Sequence, residues 1–582
     1  MNNWNDDRIF NQDMPRSLDY PNVAVGAVMK GSAERFPDRD AYIYHDQRIK
    51  YKEIYRESLR FANALRRMGV GKGTVISTHL PTCPQYIVAF YGIALSGATY
   101  SPINPYMPEN DVVYQLNNSD TKIVITNESL AHVIQSTYSE TKLEKVIVTG
   151  NQEMFTNKDP IDMSHYEENW YSFAELKRAS TEEEFDAGID PQNDLIQIAY
   201  TGGTTGRPKG VMVTHANLVN SILQNTAWGY AALPKELDNG GLILEEVEKD
   251  KERYLSNYSS LIGTGTLLSP SPLFHVSGVF GSIMYPIILG FTTILIDRFI
   301  PEKFLEDIER YQVTHISGAP AMWNVLCRHP DVKKYNFDSI RNVGSGSAPL
   351  IKEEMKLIMK TFPNATVGEG YGLTEATSSV SSTIPFQSGL RKLGSVGHPL
   401  YDTQVKIVSS DGESEEALPV GKSGEICVKG PQVMKGYYKN PEGTKEVLKD
   451  GWLHTGDIGV LDEDGFLTVV DRKKDMLIYN GYNVYPTRLE DLLFQHPAVV
   501  NAAVIGKPSE RVGEIPKAFV VMNPNHPVSE KELMEFVNNR VVHYSKIREV
   551  EFVKELPLTP AGKILKRVLR DQEKKKLEVT EK

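Results

Sequence analysis

Cysteine is scarce in this chain. Its 582 residues include three, Cys83, Cys327 and Cys427, too far apart for a CxxC unit. That spacing excludes a disulfide framework and leads us to expect a reducing, cytoplasmic setting. Positive charge is short as well: 64 lysines and arginines against 75 aspartates and glutamates leave a formal net charge of −11. Binding a phosphate backbone needs a clustered basic face, so nucleic acid is not expected as a partner. The N-terminus, "MNNWNDDRIFNQDMPRSLDYP", lacks the apolar core of a signal peptide. Residues 278–296 run 19 positions without a charge, but three glycines and Pro286 interrupt them. They read as a buried helix, a turn at Leu289-Gly290 and a strand "FTTILI", so no transmembrane segment is expected.

What is present is an ordinary globular composition, 40% apolar and 24% charged. The length implies at least two domains, because single cores stop growing at roughly 250–300 residues. From residue 20 to 150 helix and strand patterns alternate. "YKEIYRESLRFANALRRMGVGKG" places Ile54, Phe61, Leu65 and Met68 on one helical face and stops at Gly69. "TVISTHL", "ATYSPI" and "TKIVIT" read as strands and "CPQYIVAFYGIAL" as a helix. This rhythm, resumed from about 270 to 380, predicts an α/β fold with doubly wound parallel or mixed sheets. Residues 235–266 break it with a charge run between glycines, expected as a solvated excursion, most simply an exposed surface helix. From about 393 to 473 short strands ("QVKIVSSDG", "SGEICVKG", "GFLTVVD") predict a small β-rich unit. After "DRKKD" the pattern turns αβ again. We therefore expect an N-terminal domain over 1–473 and a small α+β C-terminal domain over 474–582, with a frayed charged tail.

The most unusual stretch is "TGGTTGRPKG", residues 201–210, between the strand-like "LIQIAY" and "VMVTHANLVNSIL". Glycine loops after strands cradle phosphates because bare backbone N–H groups approach the oxygens closely. The P-loop pattern fails, since Lys209 follows Pro208 and precedes Gly210, and the glycine spacing does not match GxGxxG. Yet the hydroxyls of Thr201, Thr204 and Thr205, with Arg207 and Lys209, are what a polyphosphate would want. Four further stretches follow in order: "GEGYGLTEA" (368–376), "GWLHTGDIG" (451–459), "DRKKDMLIYNGYNVYP" (471–486) and "LPLTPAGKILKR" (556–567).

Together these five motifs resemble the adenylate-forming superfamily, which includes acyl-CoA synthetases, aryl-CoA ligases, beetle luciferases and peptide-synthetase adenylation domains. The resemblance spans roughly residues 30–570. It implies an enzyme in which a carboxylate attacks the α-phosphorus of ATP and a thiol, coenzyme A, then displaces AMP. Bringing an anion up to a polyanion demands cations and oriented donors. The resemblance gives that task to Lys563, the Mg²⁺-ligand role to Glu375 and α-phosphate contact to Thr374. It sets Thr201, Gly202, Gly203, Thr204, Thr205, Gly206 and Lys209 around the phosphates. Gly346, Ser347, Ala348, Tyr371 and Gly372 would flank adenine, while Asp457 reads the ribose with Arg472 beside it. His275, in "PLFHVSG", would be a positioning residue at the acyl entrance. Lys474 would be the hinge of a mobile C-terminal domain, and Gly481 and Tyr482 would lie at the CoA tunnel.

The segment from "DGWLHTGDIG" to "NGYNVYP" looks most like medium- and long-chain fatty acyl-CoA synthetases, so a fatty acid is the expected substrate. Aryl-CoA ligases share most of these motifs and supply the alternative of an aromatic acid. An acyl-AMP ligase loading a carrier protein is a second alternative, and a ligand-binding protein on a retired synthetase fold a third. The retired fold should have lost a catalytic position, whereas Lys209, Glu375, Asp457, Arg472 and Lys563 are all present. A homodimer is a base-rate expectation for large parallel-sheet enzymes.

Overall fold

The computed structural model describes residues 6–150, 153, 161–201, 207–346, 348–350, 352–412, 414–480, 482–509, 511–558 and 564–580. Two large sheets face each other across a layer of helices. One has eight strands, in the order Gly436–Tyr437, Gly210–Thr214, Leu195–Tyr200, Thr99–Pro102, Val75–His79, Thr121–Asn127, Lys145–Thr149 and Trp170–Ser172. Its interior pairs are parallel, and Gly210–Thr214 turns back antiparallel on Leu195–Tyr200. The other has nine strands, with a parallel centre built from Thr292–Leu295, Thr266–Ser269, His315–Gly318, Asn342–Ser345 and Thr366–Tyr371.

The helices between the sheets are those whose sequence is apolar on the required faces. Tyr51–Arg67 buries Ile54, Phe61 and Leu65 and ends before Gly69, whose φ of 82° a glycine adopts without strain. Pro84–Ser96 is buried along nearly its whole surface, as expected for a helix apolar all round. His215–Tyr230 starts at a capping box between Thr214 and Asn217 and joins the same core. The uncharged run after residue 278 folds as a helical segment through Ile288, turns at Gly290 and continues as the strand Thr292–Leu295. Among the described residues no helix is long and apolar enough to cross a membrane.

A five-stranded sheet follows, from Gln404–Val408 to Leu467–Arg472. The C-terminal segment then builds its own mixed sheet from Leu477–Tyr479, Tyr482–Val484, Val499–Ser509, Gly513–Met522 and Glu549–Phe552. Its apolar core centres on Leu489, Leu493, Val504, Val520 and Leu533. The fold is therefore α/β, with a large N-terminal part, a small β-rich unit and a small α+β C-terminal part.

Two expectations need correction. The 235–266 excursion is not an exposed helix. It forms a hairpin, Ala232–Glu236 with Leu242–Glu246, and a short helix Lys251–Leu255. Leu242, Leu244, Tyr254 and Tyr258 are buried, the last two against Ile9 and Phe10 of the N-terminal arm. A Cβ on Gly31 would lie 2.2 Å from the Leu242 carbonyl oxygen, so the helix Gly26–Arg35 sits directly on the hairpin. The charged tail is likewise not frayed through residue 580: Lys566–Thr580 is a helix, docked through Lys517, Glu551 and Glu573. Buried salt bridges anchor it where composition alone suggests solvent.

Candidate active site

Ligands of parallel sheets sit beyond the carboxyl ends of the strands. Here the strands His315–Gly318, Asn342–Ser345 and Thr366–Tyr371 end in a run of small residues, and Gly346 N–H donates to the Gly318 carbonyl at 3.2 Å. A Cβ on Gly346 or Gly370 would make only ordinary van der Waals contact, with backbone oxygens at 3.8 and 3.6 Å, so neither glycine is forced by crowding. Ala348 follows in a bend beside this edge.

Tyr371 closes the edge and reaches the β-rich unit. Its hydroxyl donates to Asp457 Oδ2 at 2.7 Å, and Arg472 Nε lies 3.3 Å from Asp457 Oδ1. Asp457 and Arg472 are opposite each other on paired strands, and Gly456, at a φ of 71°, lies inside the strand Trp452–Leu461 where its pairing register shifts. Glu425 holds that irregularity: Oε1 accepts the Gly456 N–H at 3.1 Å and Oε2 pairs with Lys473 at 2.9 Å. The three predicted residues Tyr371, Asp457 and Arg472 thus form one corner. Asp457 is buried, its backbone N–H satisfied by Thr455 Oγ1.

From Tyr371 the chain doubles back sharply. A Cβ on Gly372 would lie 1.4 Å from the Ser378 carbonyl oxygen, so only glycine fits there. The turn presents Thr374 and Glu375 in a short 3₁₀ segment, followed by Thr377 and Ser378 with left-handed backbones. Glu375 Oε1 accepts the Tyr437 hydroxyl at 2.8 Å, and its carbonyl accepts the Met434 N–H. Lys209 Nζ approaches from the other sheet, 4.9 Å above the Tyr437 ring. Thr201 N–H donates to the Lys209 carbonyl at 3.0 Å, closing the base of the glycine loop. Gly202, Gly203, Thr204, Thr205 and Gly206 lie outside the described residues, as do Ser347, Gly481 and Lys563.

His275 caps the helical segment that follows it, its Nδ1 accepting the Ser277 N–H at 3.3 Å. Behind it the backbone makes a six-residue π-helical turn, Val279–Met284. Such turns mark functional sites often. Lys474 remains exposed, yet the protein packed around its ammonium, and next Arg472, lower its pKa. Tyr482 is 57% exposed and stacks on Tyr544 at 4.7 Å.

Sequence reasoning missed Tyr437, Glu425 and Glu369. Glu369 is buried just before Tyr371, and burial raises its carboxyl pKa to about 8 despite an N–H from Leu350 at 3.0 Å. "GYYKN" (436–440) carried a signal for Tyr437 only in retrospect: its partner Glu375 is 62 positions away. Among the described residues no group of three or more His, Cys, Asp or Glu side chains is arranged to hold a metal ion. Mg²⁺ bound with phosphates usually takes only one or two carboxylates. The donor set around Glu375 fits that mode and not a dedicated protein cage.

Comparison with known proteins gives the family. Residues 29–438 match the family described as AMP-binding enzyme, and residues 488–563 match the AMP-binding enzyme C-terminal domain. The chain is 34% identical over 579 residues to a long-chain-fatty-acid–CoA ligase of Bacillus subtilis, covering 97% of both chains. It is 33% identical over 523 residues to 4-coumarate–CoA ligase 1 of Petroselinum crispum, covering 89% of this chain and 88% of that one. Among solved structures, ATP-bound MatB from Rhodopseudomonas palustris superposes with a TM-score of 0.80 at 26% identity, covering 95% of this chain and 99% of that one. The chain belongs to the AMP-binding enzymes, and within them to the AMP-forming acyl-CoA ligases.

Proposed function

We propose that this protein activates a medium- or long-chain fatty acid as its acyl-adenylate and passes the acyl group to coenzyme A, releasing AMP and pyrophosphate. The observation that carries the adenylation half is the corner of Tyr371, Asp457 and Arg472 set beside Glu375 and Lys209. In this reading Asp457 accepts from the ribose diol, a role acidic residues fill in other nucleotide sites. Tyr371 and the backbone at Gly346 and Gly370 flank the adenine. Lys209 and the glycine loop bind the outer phosphates, and Thr374 the α-phosphate. Glu375 would hold Mg²⁺, which would supply positive charge against the phosphate oxygens. Lys563 brings the acid's carboxylate against the α-phosphate, and AMP then becomes the leaving group for the thiol. In this reading residues 1–473 form the adenylation domain. Residues 474–582 form a mobile domain that pivots at Lys474 and brings Gly481 and Tyr482 to the thiol tunnel.

The fatty acid is favoured by the apolar π-helical segment after His275 and by likeness to the bacterial long-chain ligase. An aromatic acid is the second reading, favoured by likeness to the 4-coumarate ligases. The test is AMP release from Mg-ATP with acids from acetate to palmitate, plus benzoate and cinnamate, with and without CoA. Sustained release needing both a C8–C16 acid and CoA is expected. Release driven only by cinnamate would move the acid to the aryl class, and release indifferent to CoA would move the acceptor elsewhere.

A further inference from the structure

Tyr437 lies outside every motif that assigns a role in adenylation, yet it touches both ends of the phosphate site. Its strand, Gly436–Tyr437, pairs antiparallel with Gly210–Thr214, the strand that leaves the glycine loop, and Tyr437 sits opposite Val211. Its backbone N–H is held by Thr444 Oγ1 at 2.9 Å, and the flanking Tyr438 N–H by the Gly210 carbonyl at 2.7 Å. Those bonds fix the backbone that carries the side chain. The hydroxyl donates to Glu375 Oε1 at 2.8 Å while Lys209 Nζ lies 4.9 Å over the ring. The ring is 7% exposed.

We propose that Tyr437 is a positioning residue for adenylate formation: its hydroxyl fixes Glu375 so that Oε2 ligates the metal, and its ring seats Lys209. This rests on the reading of Glu375 and Lys209 given above. A carboxylate on a short 3₁₀ turn has free rotation about its last bond, and a hydrogen bond to one oxygen selects the rotamer that presents the other. Partners of this kind typically alter metal affinity by about 10–100-fold. An ammonium over an aromatic face gains electrostatic attraction without losing its charge for the phosphates. Both contacts come from one side chain, so the residue couples the metal side of the nucleotide to the β,γ-phosphate side.

The test is calorimetric binding of ATP to the full chain, without acid or CoA, in Mg²⁺ and in EDTA. Tyr437→Phe removes the hydroxyl and keeps the ring; Tyr437→Leu removes both. Tyr437→Phe is expected to weaken Mg-ATP binding about tenfold and to leave metal-free ATP within about twofold of wild type. Tyr437→Leu is expected to weaken both forms, because Lys209 loses its seat. Tyr437→Phe that binds Mg-ATP like wild type overturns the inference, and so does an equal loss for both forms, which marks general loosening. Glu375→Gln, run in parallel, separates the causes. If it abolishes the metal dependence while Tyr437→Phe does not affect it, the metal-ligand reading stands and only the positioning role falls. If Glu375→Gln leaves the metal dependence intact, that reading falls and takes the inference with it.

Discussion

Glu369 shows how much one residue's surroundings decide. Its carboxyl is buried behind Tyr371 with the Leu350 N–H as partner, and Asp491 and Glu354 add negative potential to the burial that raises its pKa. A carboxyl raised from 4.5 to about 8 holds a proton in the folded chain that the unfolded chain has released. Between those values the folded state binds more protons, so this group's contribution to stability falls as pH rises through the window. Glu369→Gln keeps the acceptor for Leu350 and removes the titration. We expect the variant and the wild type to melt alike near pH 5, with the variant gaining progressively toward pH 8. Parallel melting curves across that range would show that Glu369 titrates normally. The sequence made Tyr371 and Glu375 legible because they stand in a compact motif. Glu369, inside the same "GEGYGLTEA", was not, because what singles it out is burial and not its neighbours.

Elements were legible where local periodicity and tertiary need coincide. The helix Tyr51–Arg67 ends before Gly69 and His215–Tyr230 starts at its Thr214–Asn217 capping box, each at a signal its sequence carries. The excursion and the tail were misread for a common reason. Their charges are local, but their anchors are distant: Tyr258 meets Asn11, and Glu573 meets Lys517. No window along the chain contains both partners. The terminal helix Lys566–Thr580 makes this testable. Lys517, 7% exposed at its side chain, pairs with Glu551 at 2.8 Å and Glu573 at 2.9 Å, and Lys576 completes the network. Lys517→Met would leave Glu573, 2% exposed, with Lys576 alone. Breaking a buried pair from one side costs about 3–5 kcal/mol, and the partly exposed Glu551 places this one near the lower end. Hydrogen exchange should show faster amide exchange over 566–576 in the variant. Unchanged protection there would mean that apolar packing through Leu569, not the ion network, holds the helix.

At the scale of the whole molecule, the C-terminal helix packs beside the proposed hinge. Asp471, before Lys474, accepts the Thr487 N–H at 3.0 Å at the start of the helix Pro486–Phe494. Beyond it Lys566 pairs with Glu490 at 2.8 Å, and Arg570 pairs with Asp475. Rotation about Lys474 has to break the Asp471 contact, while the Lys566 and Arg570 pairs travel with the C-terminal part. The terminal helix is therefore tied to the part that would move in the proposed swing. A motion repeated in each turnover requires that such cross-contacts be remade each time. Two variants then divide the reaction. Lys563→Ala should abolish adenylate formation, a loss of about 100-fold or more for about 3 kcal/mol of transition-state stabilisation, and largely spare thioester formation from supplied acyl-AMP. Gly481→Leu should do the reverse, because a side chain there blocks the thiol's path while leaving the nucleotide corner intact. Pyrophosphate release and CoA-dependent consumption of acyl-AMP measure the two steps separately. If both variants lose the same step, a single fixed arrangement performs both halves, and the contact between Asp471 and Thr487 is a permanent brace of the fold.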